Sequence, residues 1–258
     1  MASSRLPDKV LLDIAGEPML VRVVERARRA KSLDDVIVAT TTHLSDDAIA
    51  ELCAERDYIC YRGSEHDVLD RYFQAANIHH AEVVVRITAD CPVIDPDVID
   101  KTVNAFLGFP PGDQAQSLFP YDFAANRLPP PWGRTYPIGL DTEVCTFQGL
   151  ETAWQEAELP HQREHVMPFF YEQPQRFRIL HVTHHPDYGR LRWTVDTADD
   201  LELAREIYTR FPGHDDFTWL EILDLYEREP DLAEINKSVQ HKDYRETDDR
   251  QEELASNT

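Results

Sequence analysis

Between residues 18 and 107 this chain alternates two hydrophobic periods, and that alternation limits its folds more than any other feature. Leu20, Val23, Val24 and Ala27 recur at helical spacing after Pro18, predicting a helix to about Lys31. The run from Asp35 to Thr40 reads as a buried strand, and Ser45-Asp46-Asp47 opens a helix over 46–56. A short strand at Tyr58–Tyr61, a helix over 66–80, a strand over 81–87 and a helix over 95–106 follow. Strands and helices in strict rotation are the signature of right-handed βαβ units, which require a parallel sheet. In such sheets ligands gather at the carboxyl ends of the strands, so the loops after Thr40 and Ile87 are the places to look for chemistry.

Charge removes several functions. The 258 residues carry a formal net charge of −22, and 5 of the 26 basic residues are Lys. Such a surface repels nucleic acid. Acidity with Arg favoured over Lys also resembles the acidic proteomes of salt-loving organisms, where salt screens the self-repulsion. No apolar run is long enough to span a bilayer and no signal-peptide pattern opens the chain, so a cytoplasmic protein without membrane contact is expected. Cys53, Cys60, Cys91 and Cys145 show no zinc-ligand spacing and read as free thiols in a reducing compartment. His181, His184 and His185 lie in a strand-like segment that turns neighbours to opposite faces, which disfavours a shared metal.

Prolines at 110, 111, 120, 129, 130, 131 and 137 break the rhythm and predict an irregular excursion. Strand-like 138–147 ends it. Helices near 148–158 and 162–172, strands near 177–184 and 190–196, a capped helix from Thr197 to about Phe211 and a helix over 218–228 complete the chain. A single domain over 1–239 is expected, with 108–147 as the excursion and candidate dimer contact, and a polar, mobile tail over 240–258.

Ser3-Ser4-Arg5-Leu6-Pro7-Asp8-Lys9 gathers two hydroxyls and two cations, the donors a triphosphate needs, although a frayed polar tail would hold the same residues. Together with Asp13-Ile14-Ala15-Gly16-Glu17-Pro18, this run resembles the opening of the cytidylyltransferases, in particular their spore coat polysaccharide branch, relatives of the enzymes that make CMP-sialic acid and CMP-Kdo. Further blocks continue the likeness in order: Arg62-Gly63-Ser64-Glu65, Asp67 to Tyr72, Arg86 to Pro92, Arg134 to Asp141, Arg163 to Val166 and Arg192 to Asp196.

The resemblance implies a three-layer α/β/α, Rossmann-like nucleotide-diphospho-sugar transferase fold with a mostly parallel mixed sheet. It implies transfer of CMP from CTP to a sugar or sugar acid by a homodimeric, Mg²⁺-dependent enzyme. Asp90 and Asp196 are the implied metal ligands, although an acid placed as Asp196 is often a helix cap. Arg5 and Lys9 are the implied triphosphate and catalytic residues. Ser3, Ser4, Thr40, Arg71 and Arg86 are nucleotide-side candidates. Arg134, Asp141, Glu143, Arg163, Glu164 and His165 are acceptor-side candidates, His165 being either a general base or a helix-surface residue paired with an acid. Asp95 and Asp97 read as helix-start residues on a solvated face.

Asp8 stands where the family usually has Gly. The family's first strand, central in the sheet, has no counterpart ahead of Ser3, and the expectation is that Met1 is an internal Met of a longer reading frame. Three rival functions stay open: a sugar-1-phosphate nucleotidyltransferase, a glycosyltransferase of the same fold, and a non-catalytic binding subunit.

Overall fold

The computed structural model describes residues 6–108 and 119–240. A short hairpin, β1 (Asp13–Ile14) with β2 (Glu17–Pro18), turns at Ala15 and Gly16 and leads into α1 (Met19–Ala27), whose Leu20, Val23, Val24 and Ala27 are buried. β3 (Ile37–Thr41), α2 (Asp47–Glu55) and β4 (Ile59–Gly63) form a βαβ unit in which β3 and β4 pair in parallel. α3 (Val68–Ile78), capped by Asp67, carries the chain to β5 (Val83–Arg86).

α4 (Pro96–Leu107) shows why its boundaries are sharp. Asp95 accepts from the amides of Asp97 and Val98, Pro96 sits where an amide would have no partner, and Gly108 at φ +69° ends the helix. Asp95 is fully buried and also accepts the amide of Trp219, which corrects the expected solvated face for it; Asp97 is exposed.

The second half departs most from the expected outline. β6 (Phe123–Ala125), inside the expected irregular stretch, is fully buried and pairs with two strands. β7 (Arg127–Leu128) and β8 (Gly133–Arg134) form a small hairpin. β9 (Glu143–Thr146) leads directly into α5 (Phe147–Glu156), followed by α6 (Pro160–His165) and α7 (Pro168–Tyr171). The single helix expected over 162–172 is broken at buried Val166, which takes φ +69°. A β-branched residue there is strained. β10 (Ile179–His181) is the last strand. Residues 190–196 form no ladder among the described residues; one bridge joins Ile138 to Arg192. α8 (Ala198–Arg210) and α9 (Trp219–Arg228) close the fold.

The main sheet runs β10-β6-β9-β5, with β10 parallel to β6 and β9 antiparallel to both its neighbours. β3 and β4 form a separate two-stranded sheet. The architecture is thus mixed α/β with a mixed sheet. Between β3 and β5 lies a cavity of about 810 Å³, lined by both strands and by α1, α3 and α4. No helix among the described residues is long and apolar enough to cross a membrane.

Candidate active site

Three segments meet beyond the carboxyl end of β5. The turn at 88–91, closed by the Cys91 amide on the Thr88 carbonyl, presents Asp90. The extended segment 192–196 runs beside it, held by the Val195 amide and the Thr194 hydroxyl on the Asp90 carbonyl at 2.8 and 3.1 Å. Its other side is fixed by Gly139 at φ +106°, where an added Cβ would come within 2.7 Å of the Thr194 amide nitrogen. The third segment is the 3₁₀ turn Lys9–Leu11, entered through Asp8 at φ +54°. That left-handed angle explains a preference for Gly at position 8; Asp tolerates it better than most residues. Asp8 itself is exposed.

Lys9 joins the segments. Its Nζ donates to Asp90 Oδ2 at 2.8 Å, Asp196 Oδ1 at 2.9 Å and the Val195 carbonyl at 3.0 Å. All three side chains are mostly shielded, with exposures of 16%, 23% and 19% for Lys9, Asp90 and Asp196. Burial pulls the Lys9 ammonium toward its neutral form, but the two carboxylates outweigh it, and the net direction is upward.

Asp196 is not the cap of α8. Thr197 is, in a reciprocal arrangement with Asp200. The Asp196 carboxylate faces the site, with Oδ1 on Lys9 and Oδ2 held by Arg192 Nη2 at 2.8 Å. Arg192 is in turn clamped by Asp200, which also accepts from the Asp196 and Thr197 amides, the Thr197 hydroxyl, and Asn236 Nδ2 at 2.8 Å. Burial pushes the Asp200 carboxyl up, but these donors outweigh it and hold it below the usual range. Sequence reasoning used Arg192 and Asp200 only as a motif and a cap. Their four-residue spacing around Asp196 was the signal that they act together.

The remaining candidates sort into separate pairs. Arg86 donates to buried Glu143 at 2.5 Å, with Arg127 3.9 Å from the same carboxylate. Arg134 and Asp141 form a two-bond fork at 2.5 and 2.9 Å. Arg163 forks onto Asp67 and donates to the Trp154 carbonyl at 2.6 Å. Glu164 and His165 end α6, half-buried, immediately before strained Val166. The Thr40 and Thr41 hydroxyls both donate to Asp46 at 2.7 Å, which fixes the loop after β3. Arg71 donates to the Ser64 and Glu65 carbonyls and lines the cavity beside Arg86. Ser3, Ser4, Arg5 and the tail beyond 240 lie outside the described residues.

A divalent cation can be tested against this donor set. Three oxygens converge on one point, and a cation, the Lys9 ammonium, already sits there. No group of three or more His, Cys, Asp or Glu side chains suited to a metal gathers among the described residues. Two carboxylates without a full cage suit Mg²⁺, which usually takes one or two and completes its shell with phosphate and water.

Carboxylates, a Lys and a clamped Arg at the carboxyl edge of an α/β sheet have the chemistry that suits phosphate groups. The family described as Cytidylyltransferase matches residues 1–209, more than half of the chain. The chain therefore belongs to the cytidylyltransferase family, whose members are nucleotidyltransferases. It is similar to an uncharacterized protein of Methanocaldococcus jannaschii, 36% identical over 250 residues, covering 96% of this chain and 95% of the relative. The spore coat polysaccharide biosynthesis protein SpsF of Bacillus subtilis is 30% identical over 240 residues, covering 90% and 93%. A solved cytidylyltransferase from Leptospira borgpetersenii superposes with a TM-score of 0.82 at 28% identity, covering 93% and 95% of the two chains.

Proposed function

We propose that this protein transfers CMP from CTP to a sugar or sugar acid for surface polysaccharide synthesis, releasing pyrophosphate, with Mg²⁺ held by Asp90 and Asp196. The observation that carries the reading is the convergence of Asp90 Oδ2, Asp196 Oδ1 and the Val195 carbonyl on one cation. Family membership and the likeness to SpsF support the nucleotide and the product class. The same reading includes a homodimer acting in the cytoplasm and a three-layer α/β/α arrangement.

Each described residue then has a task. Lys9 supplies positive charge beside the carboxylate pair, where triphosphate oxygens would arrive. Arg192, locked by Asp200, fixes the orientation of Asp196. The Asp90 turn is tied to segment 192–196 through its own carbonyl, so both carboxylates are preorganised as one unit. When bound, Mg²⁺ would neutralise charge developing on the phosphates. The paired groups Arg134–Asp141 and Arg163–Asp67 are candidates for recognising the acceptor's carboxylate and hydroxyls.

Pyrophosphate release tests the proposal, using each of the four nucleoside triphosphates, Mg²⁺ and a panel of sugars and sugar acids. CTP-selective release that depends on one acceptor is expected. Release with a different nucleotide and a sugar 1-phosphate would replace the proposal with the first rival reading.

A further inference from the structure

The stretch 230–240 reaches the site through one side chain. The 3₁₀ turn Pro230–Glu234 follows α9, and its Leu232 packs into the apolar cluster that also holds Trp193, Val195 and Leu201. Over 230–240 the buried residues are Leu232 and Asn236, four positions apart; their neighbours are exposed or half-buried. Leu232 is core. Asn236, at 6% exposure, asks for a different account, since a buried amide is costly unless its polar atoms have partners. It also lies beyond residue 209, where the family match ends.

The Asn236 Nδ2 donates twice, to Asp200 Oδ1 at 2.8 Å and to the Arg192 carbonyl at 3.1 Å. Together these bonds grip both ends of Arg192. The carbonyl bond fixes the main chain where segment 192–196 begins. Asp200 fixes the guanidinium, through Nε at 2.9 Å and Nη2 at 3.0 Å, and the same Nη2 holds Asp196 Oδ2 at 2.8 Å.

The donors on Asp200 are unevenly shared. Its Oδ2 accepts from Arg192 Nη2, from the Asp196 and Thr197 amides and from the Thr197 hydroxyl. Its Oδ1 accepts from Arg192 Nε and Asn236 Nδ2. The Asp200 side chain is fully shielded from solvent, so loss of the Asn236 donor weakens the clamp on the side that faces Arg192 Nε. An anchor serving the C-terminal stretch alone could bond any nearby backbone group. This one bonds the two groups that set the direction of Asp196.

We propose that Asn236 is a positioning residue for the carboxylate pair, acting through Asp200 and Arg192 to hold Asp196 in the orientation that receives a divalent cation. Asn236 itself touches neither metal nor substrate. The proposal rests on the reading of Asp196 as a metal ligand, and the measurements that follow separate failure of the one from failure of the other.

Mn²⁺ alone is the probe, its binding to the full chain followed by electron paramagnetic resonance, with thermal unfolding measured in parallel. Asn236→Ala is expected to weaken Mn²⁺ binding about tenfold, the lower end of what loss of an outer-shell partner costs. Asn236→Asp has the same shape without the donor and should lose at least as much. Leu150→Ala opens a cavity in a separate apolar cluster built on α3, α5 and α7, and is expected to lower Tm while leaving Mn²⁺ affinity within about twofold. In an Arg192→Met background the route to Asp196 is already cut. Asn236→Ala should there change affinity by less than about twofold, because residues acting along one chain of bonds are not additive. Unchanged affinity in both Asn236 variants overturns the proposal. So does an equal loss in Leu150→Ala, or the full effect of Asn236→Ala in the Arg192→Met background. Failure of the metal reading looks different: the unaltered chain binds no Mn²⁺, or Asp196→Asn binds it equally well, and the proposal then falls with that reading.

Discussion

Replacing Lys9 with Met separates its ammonium from the Mg²⁺ proposed for the same carboxylate pair. In the structure the ammonium lies 2.8 Å from Asp90 Oδ2 and 2.9 Å from Asp196 Oδ1. Without it, two carboxylates at most about 5.7 Å apart repel by about 3 kcal/mol in an effective dielectric of about 20. Two charge-assisted hydrogen bonds, worth about 1.5–3 kcal/mol each, are lost as well. Removal of a largely buried ammonium returns several kcal/mol of desolvation. The balance is a net destabilisation of about 2–4 kcal/mol at pH 7, or about 5–10 °C in Tm for a chain of this size. The assay is thermal unfolding of both proteins, with chelator and then with millimolar Mg²⁺. Mg²⁺ is expected to restore most of the loss in K9M, where it has no competitor, and to move the unaltered chain little. The pH sign follows from the raised Lys9 value: its contribution is full below 10.5 and is lost as pH rises through the folded-state value. The gap between the two proteins should therefore hold from pH 7 to about 10 and narrow above that. Equal Mg²⁺ responses, or equal stability in chelator, would refute the reasoning.

Three further outcomes follow from the same geometry. T197A should cost about 1 kcal/mol of stability through the lost cap and leave CTP-dependent turnover within a few-fold, whereas D196N should cut turnover at least about a hundredfold; pyrophosphate release and thermal melts read both. Asp200 has a depressed folded value, so its contribution is present above pH 3.8 and is lost as pH falls through that lower value. Urea titrations between pH 5 and 2 should then show a shallower acid loss for D200N than for the unaltered chain. D8G removes an exposed side chain from a left-handed position and should raise stability by about 0.5 kcal/mol, measured as the urea midpoint.

What the sequence disclosed and what it hid divide along contact distance. Helices such as α1, α4 and α8 were legible because their evidence is local: a 3.6-residue period, a capping side chain, a Pro or a Gly. β6 was hidden because three residues, Phe-Ala-Ala, carry no measurable alternation, and its burial comes from β9 and β10 rather than from its own pattern. The break at Val166 had no Gly to announce it. Residues 190–196 had a strand's composition, but their backbone finds a single bridge at Ile138, so composition predicted extension without a ladder.

The ionic pairs were hidden for the same reason, since Arg86 with Glu143 and Arg163 with Asp67 lie 57 and 96 positions apart. Asp95 shows the cost of local reading most directly. Its cap on α4 was visible in sequence, but a partner 124 positions away, the Trp219 amide, buries it. Asp196 is the converse case. Local sequence made it a plausible cap, and only the placement of Thr197, Asp200 and Arg192 shows that capping is done by its neighbour. An acidic residue one position ahead of a self-sufficient Thr–Asp cap is not needed by its helix. In this chain that residue is directed, with Asp90, onto a cation delivered from the other end of the sequence.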